Sequence, residues 1–259
     1  RDWLRDFCAD KGVEYVRREE NQHAKAGNLN NGLKYAKGEF FAVLDADFVP
    51  LRNFLYRTVG FFEDPKIGLV QTPQYFFNPD PIQYNLKLTD SWIDEQRLTF
   101  EDLQPSRDAW DCGYCCGSCS IVRRSAIDDV GGIPTETATE DVLTTLVLLR
   151  KGYITRYLNE KLTHGLAPES LEAFFVQRQR WCRGGVQIMF SSNGPFGPGL
   201  TWKQRLFFST IGVDWIVQCL IRLVVILIPL SVLLLGMQPY QNVSTATFLY
   251  YLLPVWLSL

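Results

Sequence analysis

From Leu223 to the last residue, Leu259, the chain carries no charged side chain, whereas charges are scattered through its first 183 positions. This asymmetry admits few folds, because so long an uncharged stretch must be enclosed by protein or surrounded by lipid. Leu223 to Met237 is almost wholly aliphatic. Extended back through Trp215-Ile216-Val217, it approaches the roughly 20 residues that cross a bilayer. A second apolar stretch runs from Phe248 to Leu259. Two such segments behind a charged domain predict transmembrane helices in preference to a buried core helix. Arg222 lies near the end of the first span, where its stem lets the guanidinium reach the interface. Ahead of it, Trp202 to Trp215 mixes Lys203, Arg205 and Asp214 with Leu206, Phe207, Phe208 and Ile211. That mixture suits an amphipathic helix lying in the membrane surface. The expected organisation is a soluble domain over residues 1–190, a linker and interfacial helix over 191–215, and a transmembrane region over 216–259. With no initiator Met, the chain reads as an excerpt of a larger membrane protein.

The charged part alternates helical and strand patterns. Trp3, Leu4, Phe7 and Cys8 share a helical face, and Val13-Glu14-Tyr15-Val16 follows as a strand. Leu29, Leu33 and Ala36 continue as a helix ending at Gly38, before an apolar strand at Phe40–Leu44. Arg52 to Phe62 reads as a helix, Ile67 to Gln71 as a strand, Asp141 to Leu149 as a helix closed by Gly152, and Tyr153 to Leu158 as a strand. Glu169 to Met189 is a long helical stretch, and Ser191 to Gly199 is a Gly/Pro-rich linker. Such alternation predicts an α/β domain with a doubly wound, mainly parallel sheet.

A formal net charge of −2 implies no polyanion-binding surface, so nucleic acid is not an expected partner. Cys112, Cys115, Cys116 and Cys119 form interlocked Cys-x-x-Cys pairs. The pairs abut, whereas structural zinc sites separate theirs by a longer loop. A small-residue strand and turn in a reducing compartment is the reading adopted.

Four groups carry chemistry. Asp45-Ala46-Asp47 follows the Phe40–Leu44 strand, placing two carboxylates at the edge where open α/β sheets bind ligands. They suit Mg²⁺, which prefers one or two carboxylates plus substrate oxygens, although a cap and a turn acid are the bland alternative. Asn21 to Asn28 precedes a helix and sets Lys25 and flexible Gly27 where a phosphate can be met, or is an ordinary helix entry. Thr139-Glu140-Asp141 opens a helix that Thr139 can cap, and its acids suit the helix dipole. A carboxylate there can also accept a proton from a hydroxyl. On a helix, Gln177, Arg180 and Trp181 share one face. Together they offer an amide, a guanidinium for phosphate and a ring that stacks on sugar, or else form a membrane-surface helix with an anchoring Trp.

In this order, Asp45-Ala46-Asp47, Thr139-Glu140-Asp141 and Gln177-x-x-Arg180-Trp181 resemble the signature of processive family-2 glycosyltransferases, bacterial cellulose synthase catalytic subunits above all. The likeness extends to His23-Ala24-Lys25-Ala26-Gly27-Asn28, to Gln71-Thr72-Pro73 with Asn78-Pro79-Asp80-Pro81, and to Cys116-Gly117-Ser118 before Val122-Arg123-Arg124.

The resemblance implies a GT-A-like glycosyltransferase domain that polymerises sugar from a UDP-sugar donor, UDP-glucose first, into a β-glucan. It implies that Lys25 contacts the nucleotide sugar, that Asp45 holds the donor, and that Asp47 with Asp45 ligates Mg²⁺ or Mn²⁺ on the diphosphate. Asp141 becomes the general base, with Glu140 beside it in the substrate site. Arg180 neutralises the leaving diphosphate, Gln177 and Trp181 line the acceptor site, and Cys116 and Gly117 face the terminal sugar of the growing glucan chain. Further implications are a multi-pass location in the bacterial inner (plasma) membrane with a cytosolic active site, contact with membrane lipid, accessory synthase subunits, and uridine-binding acids ahead of residue 1. Phe48 stands where cellulose synthases carry His, which leaves a curdlan-type β-1,3-glucan or another polysaccharide as alternative products. Rivals from other classes are a metal-dependent nucleotidyltransferase and a non-catalytic membrane scaffold.

Overall fold

The computed structural model describes residues 2–236, with 243, 244, 246, 247, 249–251 and 253 beyond them. Its strands are β1 (Phe40–Val43), β2 (Val49–Pro50), β3 (Ile67–Gln71), β4 (Ser120–Arg123), β5 (Ile154–Tyr157) and β6 (Thr163–His164). The helices of the amino-terminal half are α1 (Asp2–Asp10), α2 (Ala24–Leu33), α3 (Phe54–Thr58), α4 (Pro81–Leu86), α5 (Glu95–Leu98), α6 (Gln104–Asp108) and α7 (Arg124–Asp129). The longer ones follow: α8 (Glu140–Arg150), α9 (Leu171–Phe190) and α10 (Trp202–Leu235).

The main sheet runs in the order β1-β4-β3-β5. β3 and β5 are parallel, pairing Gln71 with Tyr157, but β4 is antiparallel to both its neighbours, pairing Ser120 with Val43 and with Gln71. The sheet is therefore mixed, where the alternating pattern predicts a mainly parallel one. β4 is responsible: after α4, α5 and α6 the chain re-enters the sheet at Gly117 and Ser118, on the edge where β3 ends, so β4 runs back antiparallel. All of its residues are buried, including Arg123. The Arg123 guanidinium donates to the Ile67 and Phe62 carbonyls at 3.0 and 2.7 Å and lies over the Phe40 and Phe62 rings. A buried cation saturated in this way disguises a core strand as a polar segment.

Alternate residues fill the two sides of the sheet. Leu69 and Val122 join Ala26, Val43, Ala126, Ile127 and Leu148 on one side, while Val70 and Ile121 join Phe54, Phe62 and Leu162 on the other. A third cluster gathers Val142, Leu143, Leu146 and Leu149 of α8 with Ile188 of α9 and Phe208 of α10.

Other expectations change in detail. Residues 13–16 form no strand among the described residues, since a strand exists only with a ladder partner. The Arg52–Phe62 helix divides into α3 and a 3₁₀ turn at Val59–Glu63, and α2 stops at Leu33, short of Gly38.

Two compact units divide the chain after Gly212. The segment expected to lie in the interface and the first apolar span form one helix, α10, with no break at Trp215; Pro229 lies inside it. Among the described residues α10 is the one helix long and apolar enough to cross a membrane, and Leu220, Leu223, Val224 and Ile226 on it are exposed. The second apolar stretch, Phe248 to Leu259, lies largely outside the described residues.

Candidate active site

The carboxyl ends of β1, β3 and β5 and the amino end of β4 meet along one edge of the sheet. As the chain leaves β1, the Phe48 N–H donates to the Asp45 carbonyl at 3.0 Å, closing a tight turn around Ala46 and Asp47. The Asp45 N–H is fixed by the Ser118 Oγ at 2.9 Å, and its carboxylate is ion-paired with the Lys25 Nζ. Asp47 is exposed at the tip of this turn.

Opposite it, buried amides hold the segment from Tyr114 to Ser118. The fully buried Gln71 accepts from the Cys116 N–H at 2.8 Å and donates to the Ser118 carbonyl at 2.7 Å. Gln104, equally buried, donates to the Tyr114 carbonyl at 2.9 Å and accepts from the Tyr114 N–H at 3.2 Å. Gln74 donates to the Cys116 carbonyl at 2.7 Å. Gly117 then adopts φ +82°, a left-handed conformation natural to glycine. A Cβ there would lie 2.9 Å from the Asp141 Oδ2 and 3.5 Å from the Lys25 Nζ, so this backbone touches both groups. Burial pushes the Cys115 thiol up to about 12 and Cys112 and Cys119 to about 11, so these thiols stay protonated at neutral pH.

The remaining wall is built by helix ends and a helix face. Thr139 precedes α8 but its side chain makes no cap hydrogen bond, contrary to expectation. The Asp141 carboxylate accepts from the Val142 N–H at 2.9 Å instead. On α9, capped by Ser170, the face bearing Gln177, Arg180 and Trp181 turns toward that helix end. The Arg178 guanidinium lies 4.3 Å from the Trp181 ring centroid and donates to the Gln177 Oε1 at 2.6 Å, restraining both side chains.

These walls enclose a cleft of about 300 Å³. Lys25, Asp45, Asp47, Cys116, Gly117, Glu140, Asp141, Gln177, Arg180 and Trp181 all line it. The sequence reading did not place Gln74, Phe76, Ala138 and Leu166 there, although they do line it. Gln74 and Phe76 follow the Gln71-Thr72-Pro73 motif closely enough for that motif to have signalled them. Leu166 had no local signal, because the pairing of Phe76 with Gly165 brings it in.

Acids outnumber cations in the cleft. Burial, with the adjacent Glu140 charge, pushes the Asp141 carboxyl up to about 6. Among the described residues neither Asp47 nor Arg180 has a hydrogen-bond or ion-pair partner, so both are free for a ligand. No group of three or more His, Cys, Asp or Glu among the described residues could hold a metal alone.

The family model for glycosyl transferase family group 2 matches residues 40–259. The chain belongs to this family. Among curated relatives of this glycosyltransferase, the cellulose synthase catalytic subunit [UDP-forming] of Pseudomonas fluorescens (strain SBW25) is 42% identical over 98% of the chain. Its counterpart in Xanthomonas axonopodis pv. citri (strain 306) is 45% identical over 80%. The chain spans 34% and 29% of those relatives' lengths. Among solved structures, the mannosyltransferase PcManGT from Pyrobaculum calidifontis in complex with GDP-Man and Mn²⁺ superposes with a TM-score of 0.54 at 18% identity, covering 89% of this chain and 67% of that one. Staphylococcus aureus TarS 1-349 in complex with UDP-GlcNAc gives 0.52 at 13% identity, covering 82% and 59%. The chain thus has a GT-A-like fold, with a mixed sheet.

Proposed function

We propose that this chain is the catalytic core of a processive, inverting β-glycosyltransferase that builds a β-glucan from UDP-glucose at a membrane. The observation that carries the reading is the single cleft shared by the Asp45/Asp47 turn, Asp141 and the Gln177–Trp181 face. The names of the curated relatives point to the same chemistry, and α10 supports the membrane location.

Lys25 and Asp45 bind the donor on the strand side. The acceptor sugar packs on Trp181, with Gln177 and the Cys116-Gly117 backbone orienting it. Asp141 takes the proton from the acceptor hydroxyl as its oxygen attacks the anomeric carbon from the face opposite the diphosphate. The bond from that carbon to the diphosphate breaks, its electron pair leaves with UDP, and the configuration inverts. Arg180 and Lys25 stabilise the charge on the departing oxygens.

The donor set fits a divalent cation. An anionic diphosphate entering a cleft richer in carboxylates than in cations needs a positive charge, and Asp47 is a free, exposed carboxylate beside Asp45. Mg²⁺ or Mn²⁺ on these two residues and the diphosphate oxygens would supply Lewis-acid stabilisation of the leaving group.

The decisive assay supplies the full-length protein in membrane vesicles with radiolabelled UDP-glucose and digests the product with linkage-specific glucanases. A polymer cut by a β-1,4-glucanase is the expected result. Formation of no polymer from any UDP-sugar overturns the proposal, and pyrophosphate release from a nucleoside triphosphate would replace it with a nucleotidyltransferase. Phe48 lines the cleft where the resemblance expects His, and this favours a β-1,3-glucan as the second reading. Digestion by a β-1,3-glucanase alone would decide for it.

A further inference from the structure

Helix α9 approaches the turn before α8 more closely than any side chain at position 184 would permit. A Cβ on Gly184 would lie 2.3 Å from the Thr139 Oγ1, 2.4 Å from its Cγ2 and 2.8 Å from its Cβ. Rotating Thr139 moves the first two atoms away but not the third, which belongs to the turn itself. The same two segments are tied one helical turn further on, where the Ala138 N–H donates to the Gln187 Oε1 at 3.0 Å. The Thr139 hydroxyl is buried without a hydrogen-bond partner, so packing, not polar bonding, sets the spacing here.

Gly184 lies three residues beyond Trp181, four beyond Arg180 and seven beyond Gln177. All four therefore share one stripe of α9. Glu140 and Asp141 follow Thr139 directly at the start of α8.

We infer that Gly184 is a positioning residue: by letting α9 touch the Thr139 turn, it sets the distance between the acceptor-side Trp181 and the Asp141 carboxyl. This inference rests on the function proposed above. Any larger residue at 184 must push the backbones apart by roughly 1 Å to restore ordinary carbon–carbon contact. A displacement of that size between a bound sugar and its base costs on the order of 10²-fold in rate. Donor binding is largely spared, since Lys25 and Asp45, which hold the donor, stand on α2 and the β1 turn, whereas Arg180 moves with α9 and acts on the departing charge during transfer.

The test compares wild type, Gly184→Ala, Thr139→Gly and the Gly184→Ala/Thr139→Gly double variant, as full-length protein in membranes. Thr139→Gly removes every atom in the clash, at little cost to the helix end. Polymer formation and UDP-glucose binding are measured in parallel. Gly184→Ala should bind UDP-glucose within about twofold of wild type yet lose roughly 10²-fold in transfer. The double variant should recover to at least the rate of Thr139→Gly alone. Gly32→Ala, where a Cβ meets nothing within 4 Å, controls for adding a methyl to a helix and should keep full activity. Wild-type-like transfer by Gly184→Ala would overturn the inference. So would parallel losses of donor binding and transfer, or a double variant no faster than Gly184→Ala. An inactive wild type would instead count against the proposed function, which separates the two failures.

Discussion

At the scale of single residues, Asp141 shows how the site trades stability for function. In the role of base proposed above, Asp141 must be deprotonated, so transfer should rise with pH through about 6, where burial and Glu140 place its carboxyl. Glu140→Gln removes a neighbouring negative charge and should move this acid limb to lower pH in a pH–rate profile; an unmoved limb would show that another group titrates. The folded protein holds the Asp141 proton more tightly than the unfolded chain does. Stability is therefore full below the ordinary carboxylate range and is lost as pH rises through about 6. Asp141→Asn should consequently raise the neutral-pH melting temperature, by the equivalent of about 1–3 kcal/mol. The same change should lower transfer by about 10²–10⁴-fold. A variant both less stable and active would contradict both roles.

At the scale of elements, the buried amides of Gln71 and Gln104 hold a loop that no ladder supports. Gln104→Leu would leave the Tyr114 N–H unpaired and its carbonyl with only the weak Cys116 thiol contact at 3.7 Å, an expected loss of about 1–3 kcal/mol in unfolding free energy, read from a denaturation midpoint. On the function proposed above, such a variant should also bind acceptor less well, because Cys116 loses the Gln104 part of its support. An undiminished midpoint would mean that the loop finds other partners. Strands were legible where apolar runs announced them, at Phe40–Val43, Ile67–Gln71 and Ile154–Tyr157. β4 was hidden, since small residues and a buried arginine carry no apolar period, and its absence made the sheet read as parallel. The residues lining the cleft were largely legible, because their chemistry lies in short motifs that local sequence preserves. Leu166 was not, for its place depends on a bridge between Phe76 and Gly165 that only the folded chain makes.

At the scale of the whole molecule, the chain combines a domain with its own cores and a helix whose apolar stretch is uncovered among the described residues. We propose that α10 inserts in lipid. Protein made in membrane vesicles should float with them and resist alkaline extraction, whereas Leu227→Arg should weaken insertion by about 2.5–3.5 kcal/mol. Release of the unaltered chain by alkali would point to a peripheral association. The antiparallel seat of β4 also imposes an order on the making of this protein. The bond that steadies Asp45 comes from a residue 73 positions later, and the β1 edge that β4 pairs stays open until Arg123 has been translated. Trp181 arrives later still. A nascent chain thus carries its acidic turn long before the cleft can form, and the open β1 edge is exposed to wrong pairing in that interval. On the function proposed above, catalytic competence is therefore expected to appear only as translation approaches α10, the helix proposed to insert in lipid.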